Sequence, residues 1–179
     1  RFVMGSVATR VVNGTDTPLL LVQPQEEAGA DVGVTSVLVP LDMSPHSEEV
    51  LPLTRELAKA MKLDMSLIMV IPTLSQLFVG TEPAAYPTNA LEQVDKYARE
   101  YLKEKAEQFQ SEDGLKVSWK VVQGDIGRGI TDDADSQANS MIAMSTHGRT
   151  GLRRWVLGSV TDKVIRSSGR PVLVVRPSN

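Results

Sequence analysis

Short, unbroken apolar runs alternate with longer amphipathic stretches along most of this chain. Residues 35–41 (TSVLVPL), 65–71 (MSLIMVI), 140–144 (SMIAM) and 171–175 (PVLVV) are too short for helices and predict strands buried on both faces. Val117, Trp119 and Val121 instead alternate with Ser118 and Lys120, which predicts an edge strand with one wet face, ended by Gly124-Asp125. Helical spacing appears between these runs. Val50, Thr54, Leu57, Ala58 and Met61 recur behind Ser44-Pro45, a capping serine followed by proline at the first helical position. Leu91, Val94, Ala98, Tyr101, Leu102 and Phe109 form the stripe of a second helix, with Glu92 and Lys96 four apart on its wet side. A weaker helix spans 128–138 around Ile130 and Ala134, and a last one runs over 158–167. Residues 72–88, with Pro72, Gly80, Pro83 and Pro87, read as an irregular loop. Strands alternating with helices predict an α/β fold: a doubly wound, open, parallel five-stranded sheet with right-handed crossovers.

The N-terminal residues fit no sixth βα unit, but they repeat the C-terminus. Residues 1–22 (RFVMGSVATRVVNGTDTPLLLV) align without a gap on residues 154–175 (RWVLGSVTDKVIRSSGRPVLVV) at an offset of 153. Gly5-Ser6-Val7 match Gly158-Ser159-Val160, and Pro18 matches Pro171. Residues 1–23 are therefore read as the last helix and strand of a preceding domain, residues 24–33 (PQEEAGADVG) as a linker, and 34–179 as the complete domain. The opening on Arg1 rather than methionine fits a segment of a longer chain.

Composition narrows the function classes. The 179 residues carry a formal net charge of −3, so the broad basic face of a nucleic-acid binder is not expected. There is no cysteine, which removes disulfides, thiolate metal sites and cysteine nucleophiles. No apolar run approaches the ~18 residues of a membrane span, and no signal peptide is visible. Aromatics make up only 4% of the chain, so aliphatic side chains and the seven methionines must fill the core.

In open α/β sheets, ligands bind beyond the carboxyl ends of strands where the strand order reverses. The candidate turns are Pro40-Leu41-Asp42, Val70-Ile71-Pro72 and Ser145 to Ser159. In the third, Gly148 and Gly158 let backbone N–H groups approach an anion, and a helix N-terminus adds partial positive charge. Ser159 and Thr161 are candidate hydroxyl donors to phosphate. No Gly-Lys-Ser/Thr follows, so this is not a Walker loop, and Gly124 to Gly129 lacks the glycine order of a dinucleotide fingerprint.

The run STHGRTGLRRWVLGSVTDKVIRSSGRPVLVVRP resembles the C-terminal signature of the universal stress protein family, and VLVPLDMSPHSEEVLPLTRELA resembles its opening strand and helix. The resemblance covers essentially all of 34–177, with residues 1–23 resembling the tail of a second copy in a tandem protein. It implies an adenine nucleotide alpha hydrolase-like sheet of order 3-2-1-4-5 and a cytoplasmic, signalling or stress-response role. The ATP-binding subgroup carries G-x2-G-x9-G-[ST]. Gly148, nine residues, Gly158 and Ser159 match its second half, while Ser145 stands at the first glycine position. The resemblance further implies ATP or a related adenine nucleotide as ligand, with magnesium or manganese carried on the phosphates. Asp42 would contact the ribose, Leu41 and the Val70 backbone would line the adenine slot, and Gly148, Gly158, Ser159, Val160 and Thr161 would hold phosphates. Pro40, Met144, Ser145, His147 and Arg149 complete the implied site.

Plainer roles stand beside these. Asp42 fits a helix cap, His46 a solvated position, His147 a loop histidine, and Arg149, Arg153 and Arg154 surface charge. Asp132, Asp133 and Asp135 do not share one helical face and read as solvated surface rather than a metal site. No nucleophile, general base and orienting group converge as a triad, so at most slow ATP hydrolysis is expected. The alternative function is a dimerisation module of the same fold with no nucleotide; a nucleotide-dependent enzyme of another doubly wound family is a third. The apolar last strand needs a neighbour at its edge. Antiparallel pairing of 18–22 with 171–175 is expected, within the chain or in a homodimer, with Val7 and Val11 of helix 4–13 seeking a surface to bury them.

Overall fold

Each apolar run becomes a strand of one sheet in a computed structural model, which describes residues 6–23, 33–73, 76, 89–146 and 157–176. The elements are α1 (Ser6–Gly14), β1 (Leu19–Leu21), β2 (Ser36–Pro40), α2 (Pro45–Glu48), α3 (Leu51–Met61), β3 (Asp64–Ile71), α4 (Ala90–Asp113), β4 (Val117–Gln123), α5 (Ile126–Ser136), β5 (Ser140–Ser145), α6 (Ser159–Ser167) and β6 (Val172–Val175). The sheet order is β1-β6-β5-β2-β3-β4. Strands β2 to β6 are parallel and keep the expected order; β1 adds a sixth strand antiparallel to β6, pairing Leu19 with Val174, Leu20 with Leu173 and Leu21 with Val172 within the same chain.

Strand residues alternate between two cores, as the period of 2 requires. Val37, Val39, Met65, Leu67 and Met69 face Ala58 of α3 and Ala98, Leu102 and Phe109 of α4. Leu38, Ile68 and Val70 face Ile130 and Ala134 of α5 and Val164 and Ile165 of α6. Val12 of α1 belongs to this second core. Burial thus falls on Val12, whereas Val11, expected inside, is exposed.

Three further departures appear in the helices. The helix behind Ser44 is two helices, because Pro52 has no N–H to donate to the carbonyl of Glu48, and the turn falls there. Met61 lies exposed at the last position of α3, where Lys62 turns left-handed with φ of 55°. Glu92 and Lys96 lie exposed on α4 as expected, and Lys96 pairs with Glu100. Asp133 is not solvated surface: it is buried and ion-paired with Lys120 of β4. Its neighbours Asp132 and Asp135 pair with Arg128 at 3.4 Å and Arg170 at 3.5 Å, so the three carboxylates go to three partners. Among the described residues no helix is long and apolar enough to cross a membrane.

Candidate functional site

The sheet reverses direction between β2 and its neighbour β5, from which the chain leads to β3 on one side and β6 on the other. The turns after β2 and β5 therefore share one end of the molecule, where a crevice outside the strand ends forms.

After β2, Leu41 is buried and donates its N–H to the carbonyl of Ile68 (2.9 Å). Asp42 then accepts from the N–H of Ser44 (3.0 Å) and from its hydroxyl (2.6 Å). The Ser44 oxygen in turn caps α2 by accepting from the N–H of Ser47 (3.1 Å), and the Ser47 hydroxyl donates to the carbonyl of Ser44 (2.8 Å). Asp42 is therefore not the cap; it orients the cap. The turn forces Met43 to a φ of 65°, a left-handed conformation costly for a residue with a side chain. Backbone strain of this kind persists only where surrounding bonds over-determine it, and it clusters at functional turns.

Behind this turn, Glu48 of α2 accepts from the Tyr101 hydroxyl and from Lys105 of α4, each at 2.7 Å. Burial works against the Glu48 charge, but the Lys105 and Tyr101 bonds outweigh it and hold the carboxyl below its usual range. Burial, then Glu48 and finally Asp42 push the Tyr101 phenol far up, so it remains a donor at any physiological pH.

After β5, Thr146 donates its N–H to Val175, and Gly158 donates its own to the carbonyl of Thr146, both at 2.9 Å. The hydroxyl of Thr161, which is buried, donates to the carbonyl of Ser145 at 3.0 Å. These bonds lodge the start of α6 against the end of β5. The hydroxyl proton of Thr161 is thus committed to a main-chain carbonyl, and only its N–H remains for an anion. Gly158 occupies the N-cap and has no side-chain oxygen to offer, so among the described residues no side chain caps the first-turn amides of Ser159, Val160 and Thr161. Ser159 is exposed and Val160 half-buried at this opening.

On the other side of β2 from β5, Val70 near the end of β3 pairs with Val122 of β4 and is buried against α5. A Cβ placed on Gly129 of α5 would stand 3.0 Å from both Val70 methyl carbons. Pro40 ends β2 half-buried, and Met144 and Ser145 are buried at the end of β5. Ser145 is in regular strand; among the described residues the non-glycine positions with positive φ are Met43, Lys62 and Asn139, so serine stands there without strain. The structure thus gathers Pro40, Leu41, Asp42, Val70, Met144, Ser145, Gly158, Ser159, Val160 and Thr161 at one sheet end. His147, Gly148, Arg149, Arg153 and Arg154 lie outside the described residues, as does most of loop 72–88. Sequence reasoning missed Ser47 and Gly129; the D-x-S-x-x-S spacing from Asp42 to Ser47 was the available signal for the first.

A doubly wound domain whose last helix starts at a glycine N-cap beside the switch point is the class this geometry defines. The model of the universal stress protein family matches residues 33–176, and the chain belongs to that family. It is 31% identical over 155 residues to universal stress protein Sll1388 of Synechocystis, covering 81% of this chain and 99% of that one. A universal stress protein of Mycolicibacterium smegmatis is 28% identical over 178 residues; the match takes in 99% of this chain but only 57% of the relative's length. Among solved structures, MJ0577 of Methanocaldococcus jannaschii is 28% identical with a TM-score of 0.61, covering 81% of this chain and 97% of that one. An Archaeoglobus fulgidus universal stress protein reaches a TM-score of 0.71 at 20% identity, over 99% of this chain and 57% of that one. A universal stress protein in complex with cAMP has a TM-score of 0.58 at 18% identity, over 82% of this chain and 99% of that one.

Proposed function

We propose that the domain binds ATP or a related adenine nucleotide and serves a conformational or signalling role. The observation that carries this reading is the glycine-capped start of α6, held by Thr146 and Thr161 against β5 and facing the Asp42 turn of the adjacent strand. Amides of a first helical turn with no side-chain cap suit a phosphate, and the helix dipole adds to the attraction. Asp42, fixed by Ser44, offers a carboxylate to ribose hydroxyls, while Leu41 and the Val70 main chain form the slot for the base. Met144, Ser145 and Pro40 shape the walls. His147, Gly148 and Arg149 carry over from the family motif alone. A fold neighbour is a universal stress protein in complex with cAMP, which supports an adenine nucleotide as the ligand. Among the described residues no three His, Asp or Glu groups gather as metal ligands, so magnesium or manganese would ride on the phosphates.

Calorimetric titration of the purified chain with ATP tests the reading, alongside chromatography of any nucleotide released on denaturation. Gly158→Val should abolish the binding heat and leave the β1–β6 pairing intact, because the branched side chain stands where phosphate must approach. Absence of heat at millimolar ATP, with no nucleotide released, overturns the proposal in favour of a module that works through its strand edge.

A further inference from the structure

Near their amino ends, four strands carry serine on the same face of the sheet. Ser140 of β5, Ser36 of β2 and Ser66 of β3 stand two positions before Ile142, Leu38 and Ile68, which pack in the core beneath α5 and α6. Ser118 of β4 stands two positions before Lys120, which pairs with Asp133 of α5. By the period of 2, all four serines point to the α5 side, at the end of the sheet opposite the Asp42 turn.

The fold uses one of these hydroxyls. Ser140 donates to the carbonyl of Ala134 at 2.7 Å. The Ser36 hydroxyl oxygen is buried and has no hydrogen-bond partner among the described residues. Ser66 is only 8% exposed, and among the described residues neither its hydroxyl nor that of Ser118 bonds to another group. A buried hydroxyl left unbonded is costly, and alanine would serve packing alone better. The cover stops short because α5 ends at Ser136. Beyond it, the turn 137–139 is held by the N–H of Thr35, which donates to the carbonyl of Asn139 at 2.9 Å. A groove of about 450 Å³ opens there, lined by Ser36, Ser66, Ser118, Gln137, Asp64 and Lys116 among others. Small-molecule sites span about 300–1,000 Å³.

The charges around this groove cancel in pairs, Lys116 with Asp64 and Lys120 with Asp133. The carbonyl end of α5 further disfavours an anion. Among the described residues no three acidic or histidine groups gather for a metal. Neutral hydrogen bonding remains. The serine hydroxyls both donate and accept, and Gln137, whose amide nitrogen donates to Asp133 at 3.1 Å, offers its carbonyl oxygen. Ser66 and Ser118 are register partners on adjacent strands, which sets their backbones about 4.8 Å apart. Alternate equatorial hydroxyls of a six-membered sugar ring have a similar separation.

We propose that this groove binds a neutral polyhydroxylated molecule, a sugar or a polyol, with Ser66, Ser118 and Gln137 as its principal contacts. The site is independent of nucleotide binding, which is assigned to the other end of the sheet.

Ribose and glucose as ring probes, and glycerol and sorbitol as open-chain probes, are each titrated to tens of millimolar into the 15N-labelled chain. At least one should give saturable shifts at the amides of Ser66, Ser118, Gln137 and Ala138 while Ser159, Val160 and Thr161 stay fixed. Saturation by ring probes alone identifies a sugar, and by open-chain probes a polyol. Ser66→Ala and Ser118→Ala should each weaken that binding about three- to ten-fold, the loss of one hydrogen bond. Their urea midpoints should hold or rise, because neither hydroxyl bonds within the fold. No shift with any probe, shifts that only grow linearly, or binding unchanged in both variants overturns the proposal. So does a lowered midpoint in both variants, which assigns the hydroxyls to the fold instead.

Discussion

Gly129→Ala sets two calculable effects against each other. Gly129 lies in the helix interior of α5, where replacement by alanine ordinarily gains about 1 kcal/mol of helix propensity. The new Cβ, however, would stand 3.0 Å from both methyl carbons of Val70 and 3.6 Å from one of Val122, against an optimum near 3.5–4.0 Å for carbon pairs. Val70 has little room to yield, because β3 is hydrogen-bonded to β2 on one side and β4 on the other, and its branched side chain is stiff at χ1. Overpacking of this kind costs about 1–3 kcal/mol, so a net loss of about 1 kcal/mol is expected. In a Val70→Ala background the clash is gone and the same substitution should stabilise. Urea unfolding of the four proteins of this cycle gives the coupling directly, expected at about 1–3 kcal/mol. Stabilisation by Gly129→Ala in the parent, or a coupling under about 0.5 kcal/mol, would refute the packing argument. Because Val70 ends beside the Asp42 turn, the variant should also weaken ATP binding, which calorimetry would measure.

Met43→Gly should relieve the left-handed strain beside Asp42 and raise unfolding stability by a few tenths to about 1 kcal/mol, offset in part by glycine's greater freedom when unfolded. Thr161→Val removes a buried 3.0 Å hydrogen bond to Ser145 and should cost about 1–2 kcal/mol in chemical unfolding, with weaker ATP binding as the start of α6 loosens. Lys120→Met leaves the buried carboxylate of Asp133 without its ammonium and should destabilise by about 1–3 kcal/mol in urea unfolding at neutral pH. Asp125 caps α5 and accepts from Lys163 at 2.7 Å; that bond, then the N–H of Arg128, holds its carboxyl below the usual range. Its contribution is therefore present above about pH 5 and fades as pH falls through the depressed folded value. Asp125→Asn should flatten the acid limb of the stability–pH curve, read by thermal melts between about pH 2 and 6.

Elements whose signal is local were readable from the chain. The period-2 alternation of Val117, Trp119 and Val121 announced an edge strand, and β4 is one. The ungapped repeat announced the pairing of 18–22 with 171–175, and the register confirms it within the chain. Features decided by distant partners were not readable. Nothing near Asp133 tells that Lys120, on a neighbouring strand, draws it inside. Nor does spacing along a nine-residue helix tell Val12 from Val11, because the face that packs depends on where β6 lies. At the candidate site, residue types singled out Asp42 and Gly158, and the structure brings both to one end of the sheet. The hydrogen bond of the Thr161 hydroxyl was not readable, because its acceptor is a carbonyl sixteen positions away in β5. The Pro52 break followed a rule available from sequence alone, but the apolar stripe running through it masked the interruption.

The central claim is that a polyphosphate sits on the main-chain amides at the start of α6, opposite the Asp42 turn. Titrating 15N-labelled protein with ATP and following the amide resonances of Ser159, Val160 and Thr161 tests it directly. The account predicts saturable shifts at these three amides, with shifts at Leu41, Asp42 and Val70, all absent in Gly158→Val. Resonances of α6 that stay fixed while ATP binds elsewhere, or that stay fixed at millimolar ATP, would contradict it.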